Sequence, residues 1–267
     1  MSSDSAAPPP ALVEALVRAP TLISAVEWHA EATSTNSLAI DAAAAGAAHG
    51  HLILAGRQTA GRGRRGRRWH DAPGVSLLLS IVLRPNAAPH RLQMLPLVAG
   101  VALAEAVRPF CPLAAVGLKW PNDLLIDGRK AAGILAEGAV DGAVVVGVGV
   151  NVDWRGVERD EELAGATSVA EASEGPVDAW KVLAGFAGVF GRRYEDWEAD
   201  PAQFLDDYRD WCVTLGKPVR VGLAGAAAGA GLEGVAIGIA EDGALLVRSG
   251  IETVAVSAGD VEHVRPA

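Results

Sequence analysis

Between Arg57 and Arg68 the sequence Arg-Gln-Thr-Ala-Gly-Arg-Gly-Arg-Arg-Gly-Arg-Arg gathers six arginines and no acid, a local charge of +6 in a chain of net charge −9. Guanidinium groups are forked, permanently charged donors suited to carboxylate and phosphate oxygens. The interleaved Gly61, Gly63 and Gly66 let backbone N–H groups come close to a ligand. Gly61-Arg62-Gly63-Arg64-Arg65-Gly66 fits the dinucleotide pattern G-x-G-x-x-G, which needs a helix opening directly after it. Here Arg67-Arg68-Trp69 leads through Asp71, Pro73 and Gly74 towards a strand, so that reading fails. A P-loop fails because Arg67-Arg68 stand where Lys-Ser or Lys-Thr is required. An anion-binding loop, a solvated basic loop and a nucleic-acid patch remain open.

Two other groups of residues bear on that choice. In Gly147-Val-Gly-Val-Asn151, strand alternation puts Gly147, Gly149 and Asn151 on one face and Val146, Val148 and Val150 on the other. Two glycines beside an asparagine leave an open furrow with a polar end. Gly133, Leu135 and Glu137 share a face of a neighbouring strand in the same way. Lys119 ends a strand next to Trp120-Pro121-Asn122-Asp123, bringing an ammonium, an amide and a carboxylate to one corner. Beside the arginine loop it is a candidate for holding a reacting phosphate.

The elements that must position these groups are legible in outline. Ser34 or Thr33 is placed as the N-cap of an Ala-rich helix reaching about residue 48. Residues 51–55 and 75–83 read as buried strands, and 92–107 as an apolar helix. An antiparallel meander follows, with turns at Asp127-Gly128 and Asp141-Gly142. Residues 179–197 form an amphipathic helix whose Phe186, Phe190, Tyr194 and Trp197 share a core face, and 201–211 a shorter one. Beyond Cys212 only short strands and turns are expected, near 217–223, 233–240, 244–248 and 253–257. This divides the chain into an N-terminal tail or brief helix at 1–27, an α+β unit at 28–212 and a small β module at 213–267.

With 267 residues, half of them apolar, the chain has length enough for a real core and is not of disordered composition. Its acidic balance argues against coating nucleic acid or anionic membrane by overall charge. Only Lys119, Lys130, Lys181 and Lys217 are lysines, as in a genome that favours Arg codons. Cys111 and Cys212 stand alone, which supports neither a disulfide framework nor a Cys-based zinc site. No secretory signal is legible, and no uncharged apolar run reaches membrane-spanning length, so a cytoplasmic protein is expected.

In order along the chain, Thr33-Ser-Thr-Asn36, the segment Gln58–Trp69, Lys119-Trp-Pro-Asn-Asp123, Lys130–Glu137 and Gly147–Asn151 resemble the biotin protein ligases. Each motif is weak alone, and five in order are specific. The resemblance implies a mixed or antiparallel sheet with helices, class II synthetase-like, followed by a small SH3-like β barrel. It implies ligation of biotin through biotinyl-5′-AMP, with MgATP as co-substrate and a lysine of a biotin carboxyl carrier domain of an acyl-CoA carboxylase as acceptor. Carried over, Ser34, Thr35, Asn36 and Gln58 would line the ureido end of biotin. Gly61, Arg62, Gly63, Arg64 and Gly133 would complete the biotin site. Lys119 would bridge biotin carboxylate and α-phosphate, with Arg62 and Arg64 as its catalytic partners. Arg64, Arg67, Trp69, Lys119, Asn122 and Asn151 would meet ATP, and Asp123 the magnesium ion.

Some relatives carry an N-terminal winged helix and repress transcription. Only 27 residues precede the matching segment here, so no DNA binding and no repressor activity are expected. The rival readings are a lipoate or octanoate ligase of the same fold, and a non-enzymatic anion or nucleic-acid module built on Arg57–Arg68. The motifs leave the oligomeric state open.

Overall fold

The computed structural model describes residues 7–19, 21–70, 75–161, 163–222, 231–257 and 259–264. Asp71, Pro73 and Gly74 lie outside them. Strand β1 (Ala25–His29) is parallel to β2 (His51–Ala55), with helix α2 (Thr35–Ala44) between them in sequence after α1 (Pro10–Arg18). Strand β3 (Ser76–Leu83), helix α3 (Leu95–Val107) and strands β4 (Val116–Lys119), β5 (Asp123–Ile126), β6 (Arg129–Gly138) and β7 (Val144–Asn151) follow. Together the strands form one mixed seven-stranded sheet in the order β1-β2-β3-β7-β6-β5-β4. The meander is as expected, and its two Asp-Gly turns hold positive φ at Asp127, Gly128, Asp141 and Gly142.

Apolar patterning decides which element covers which face. Eleven of the thirteen residues of α3 are buried, as a helix that is apolar all round must be. It lies between the sheet and α4 (Ala179–Ala199), α5 (Pro201–Trp211) closing the layer. The continuous helical stretch Pro89–Phe110 is long and apolar enough to cross a membrane, but two thirds of it is buried in the protein. On α4, Phe186, Phe190, Tyr194 and Trp197 are buried, the first two rings stacked 5.2 Å apart. Asp178 and Asp200 cap α4 and α5 by accepting backbone N–H groups.

Val146, Val148 and Val150 of β7 face this layer. Among the described α-helices, α2 is the one on the opposite face, packed through Ala39 and Ala43 on Ile53, Val82 and Val145. It ends at Ala44, four residues earlier than expected.

The apolar residues near the N-terminus form α1, which packs on α4, and β1 starts three residues before the expected boundary at 28. Strands β8 (Pro218–Gly222), β9 (Gly231–Ile239), β10 (Leu245–Ser249), β11 (Glu252–Val256) and β12 (Asp260–His263) make a separate antiparallel sheet in the order β11-β10-β9-β8-β12. Leu223, expected to end β8, lies outside the described residues, and β12 had no counterpart in the sequence reading. Cys111 and Cys212 are buried and unbridged.

Candidate functional site

Cross-strand register organises the open sheet face into rows. Leu78 on β3, Gly149 on β7, Gly133 on β6, Asp123 on β5 and Lys119 on β4 stand opposite one another in sequence. Ser80, Gly147 and Leu135 form the next row. Over these rows lies a cavity of about 350 Å³, roofed by α2 and the arginine loop.

At the α2 end the cavity is lined by Ser34, Thr35, Asn36 and Gln58, all buried. Ser34 occupies the N-cap position, yet its side chain makes no cap hydrogen bond, which leaves the hydroxyl to the cavity. Gln58 Oε1 accepts from the Thr35 backbone N–H at 2.7 Å and from its hydroxyl at 3.2 Å. Asn36 Nδ2 donates to Glu137 Oε2 at 2.9 Å and to Leu135 O at 3.3 Å. Ser80, fully buried, places its hydroxyl 2.6 Å from Asn36 Oδ1 and 2.8 Å from Thr35 Oγ1. A Cβ at Gly147 would stand 1.8 Å from Asn36 Oδ1, so this amide fits only over glycine. Such a dense set of oriented donors and acceptors suits a small, flat, polar group.

The arginine loop is a small hairpin. Trp69 N–H donates to Gly61 O and Gly63 N–H to Arg67 O, and the turn at Arg64–Gly66 has positive φ at Arg65 and Gly66. A Cβ at Gly61 would stand 2.6 Å from Trp69 O, which is why the hairpin closes there. The +6 charge of the loop is offset by partners. Arg62 reaches Glu137 at 2.6 Å, Arg67 reaches Asp260 at 2.5 Å, and Arg68 donates to Thr59 O. Arg62, Gly63, Arg64 and Arg67 line the cavity, whereas Gly61 lines a groove on the outer side of the hairpin.

At the base of the hairpin the Trp69 ring lies in the glycine furrow. Its atoms stand 2.5 Å from a Cβ built at Gly149 and 2.8 Å from one at Gly133. Trp69 Nε1 and Asn151 Oδ1 are buried without hydrogen-bond partners among the described residues, a donor and an acceptor waiting at the same end of the cavity. Asn151 is held by its Nδ2, which donates to Thr167 O at 2.8 Å. Asn122 donates to Ile134 O and accepts from Arg64 at 3.2 Å. Burial pulls the Arg64 guanidinium below its usual pKa, partly offset by Asp260 and Asp123.

The lysine at this site is not the expected one. Lys119 does not line the cavity and stands two strands beyond Gly133 in its row, roughly 10 Å at the usual strand spacing. Among the described residues its ammonium has no hydrogen bond or ion pair, and burial pulls its pKa down. Lys130 does line the cavity, with Nζ 2.7 Å from Asp123 Oδ1 and 5.6 Å from the Trp69 ring centre. Simple alternation from Gly133 directs Lys130 to the opposite face. A β-bulge against Leu124 and Leu125 pairs Lys130 with Leu125 and turns Ala131 and Ala132 both into the core. That extra residue re-aims the lysine into the site.

Asp123 is thus a single carboxylate already paired with a cation. Among the described residues no group of three or more His, Cys, Asp or Glu could hold a metal by itself. Besides Lys130, the sequence reading missed Ser80 and the segment of Trp154, Leu163, Gly165 and Ala166 that covers the Asn151 end.

Residues 31–153 match the biotin/lipoate A/B protein ligase family, and residues 214–264 the biotin protein ligase C terminal domain. The chain is 39% identical over 240 residues to the biotin–[acetyl-CoA-carboxylase] ligase of Mycobacterium tuberculosis, covering 88% of each chain. It belongs to the biotin protein ligase family. The Paracoccus denitrificans ligase of the same name is 35% identical, covering 87% of this chain and 98% of the relative. Among solved structures, the Aquifex aeolicus biotin protein ligase in complex with biotin and ATP superposes with a TM-score of 0.78 at 27% identity. That match covers 91% of this chain and all of the other.

Proposed function

We propose that this ligase-family chain activates biotin with ATP and passes the biotinyl group to a lysine of a biotin carboxyl carrier domain. The observation that carries the reading is one cavity with two unlike ends: the network of Thr35, Asn36, Gln58 and Ser80, and the cationic, aromatic corner of Arg64, Lys130 and Trp69. A ureido ring offers the N–H and C=O groups the first end can satisfy, and a nucleotide offers the base and phosphates that suit the second.

In the first step a biotin carboxylate oxygen attacks the α-phosphorus of ATP. The bond from that phosphorus to the bridging oxygen breaks, and diphosphate leaves with its electron pair. Two anions must meet, so the protein's work is positioning and charge compensation. Lys130, over Gly133 and beside the Trp69 ring, marks the cationic end of the passage. We assign to it the bridging role that the resemblance implied for Lys119. Arg62 and Arg64 flank the same passage. Trp69 is the surface for adenine, and Asn151 Oδ1 the acceptor for a nucleotide donor. Magnesium would come with ATP, and Asp123 is the carboxylate that would hold it; such ions bind through one or two carboxylates plus substrate phosphates. In the second step the carrier amine attacks the acyl carbon and loses a proton, while the bond from that carbon to the oxygen bridging to phosphorus breaks and AMP leaves with its electron pair.

Residues 28–212 form the catalytic unit in this reading and 213–267 an attached module. The match of residues 214–264 to a biotin-ligase module favours biotin over lipoate. Pairing of Arg62 with Glu137 and of Arg67 with Asp260 lowers the charge that the loop offers to a nucleic acid. The test is mass spectrometry of a carrier domain incubated with the protein, biotin and MgATP. A single biotinyl addition is expected; its absence, or acylation by lipoate or octanoate in its place, overturns the reading.

A further inference from the structure

We propose that the C-terminal sheet is the anchor of the arginine hairpin, and that Asp260 is a positioning residue for the nucleotide step, holding Arg65 and Arg67 until phosphate replaces it. This rests on the function proposed above, for which the role of the C-terminal sheet is otherwise unassigned.

Three hairpin arginines, Arg64, Arg65 and Arg67, reach across 157 to 195 residues of chain to one corner of that sheet. Arg64 donates to Gly259 O at 3.2 Å, and Arg65 to Gly222 O at 3.0 Å. The Asp260 carboxylate takes the other two contacts, Oδ2 lying 3.5 Å from Arg65 and Oδ1 2.5 Å from Arg67. The corner is built by the pairing of β8 with β12, which sets Asp260 opposite Gly222. Gly259 enters it at a close approach: a Cβ there would stand 2.5 Å from Val221 Cγ1 and 3.2 Å from Gly222 O. Two carbonyls and one carboxylate therefore converge on the tip of the hairpin, and only the carboxylate carries charge.

The hairpin needs that charge. Arg62 is tied inward by Glu137, which leaves the guanidiniums at 64, 65 and 67 crowded at the tip, where like charges a few ångströms apart repel. Asp260 offsets two of them at once. Both pairs are partly exposed, with 35% of the Asp260 side chain and 63% of the Arg67 side chain accessible, so they are weak and exchangeable. Arg67 lines the cavity while bound to Asp260. A polyphosphate arriving there brings more negative charge than the carboxylate and takes the guanidinium over, with the hairpin already in place. Biotin's end of the cavity, held by Gln58, Asn36 and Glu137, does not share these contacts.

The experiment is Asp260→Asn in the full chain, with Asp260→Glu as the conservative variant and Glu262→Gln, an exposed acid on the same strand, as control. Limited trypsin digestion without ligands reads the hairpin directly, through fragments cut after Arg62, Arg64, Arg65, Arg67 or Arg68, and does not depend on the reaction. For D260N, cutting at these bonds accelerates about fivefold, the scale of losing one or two partly exposed ion pairs. The ATP KM of biotinyl-adenylate formation rises by a similar factor. The biotin Kd, kcat and Tm stay within twofold or 2 °C, and D260E and E262Q behave as wild type. D260N with wild-type cutting and wild-type ATP KM overturns the proposal. So does a parallel fall of all parameters with Tm, which would mark Asp260 as merely stabilising. A wild-type protein that makes no biotinyl adenylate would sink the proposed function, while the digestion would still decide the anchor.

Discussion

Replacing Lys130 by alanine separates the two lysines that compete for the central role. The side chain removed is the cation nearest to both the Trp69 ring and the glycine furrow, with Nζ 3.3 Å from a Cβ built at Gly133. Losing one preorganised charge-stabilising donor costs about 2.7–4 kcal/mol, roughly 10²–10³-fold in rate. K130A should therefore slow biotin-dependent exchange of diphosphate into ATP by about 10²–10³-fold. Lys119→Ala, which removes a lysine outside the cavity, should stay within about fivefold of wild type. Exchange by K130A within tenfold of wild type, or a K119A defect as deep as that of K130A, would refute the assignment.

Three other outcomes follow from the same geometry. Gly149→Ala sets a methyl group 2.5–2.7 Å from the Trp69 ring, so the ring must leave the furrow; the ATP KM should rise about tenfold with Tm nearly unchanged, and an unchanged KM would remove Trp69 from the nucleotide site. Burial first, then Lys119 and Lys217, pulls the His263 pKa down to about 4. The folded protein thus favours the neutral ring, and its contribution to stability is intact above the unfolded value near 6.5 and lost as pH falls from there towards 4. Discounted for partial exposure, this amounts to about 1–2 kcal/mol by pH 5; melts of wild type and His263→Gln at pH 7 and pH 5 should show the smaller pH sensitivity in the variant. Cys111 is fully buried with its thiol pushed up to about 11, and burial also raises Cys212; iodoacetamide at pH 8 should label neither until denaturant is added.

The parts of the fold that follow a single period were legible in the sequence. The aromatic stripe of α4, the Asp-Gly turns and the Gly147–Gly149–Asn151 face obey the 3.6- and 2-residue repeats and appear where those repeats put them. What escaped is what breaks a period or depends on a distant partner. Lys130 faces the site only because the bulge in β6 adds a residue, and nothing in Arg-Lys-Ala-Ala-Gly marks that position. Ser80 sits in an otherwise apolar strand and acquires its use from Asn36 and Thr35, more than forty residues away. Strand β12 is four residues long and half charged, so only its pairing with β8 makes it a strand. Lys119 lies in the same row as Gly133 and Gly149, but alternation fixes the face of a residue and not how many strands away it stands.

That distinction also explains why Gly147 and Gly149 are not interchangeable although both are glycines on one face of β7. Register pairs Gly147 with Ser80 and Leu135, and a Cβ there would meet the Asn36 amide. Two residues on, register pairs Gly149 with Leu78 and Gly133, and a Cβ there would meet Trp69. The distance between the polar end and the aromatic end is thus one strand repeat of about 6.6 Å, set by backbone and not by side-chain choice. A one-residue slip of β7 would turn valines into the cavity and glycines into the α3 core. The core on the far side, where Val146, Val148 and Val150 are buried, forbids that slip. The spacing of the two ends is consequently held by the hydrophobic packing of the face that neither ligand touches.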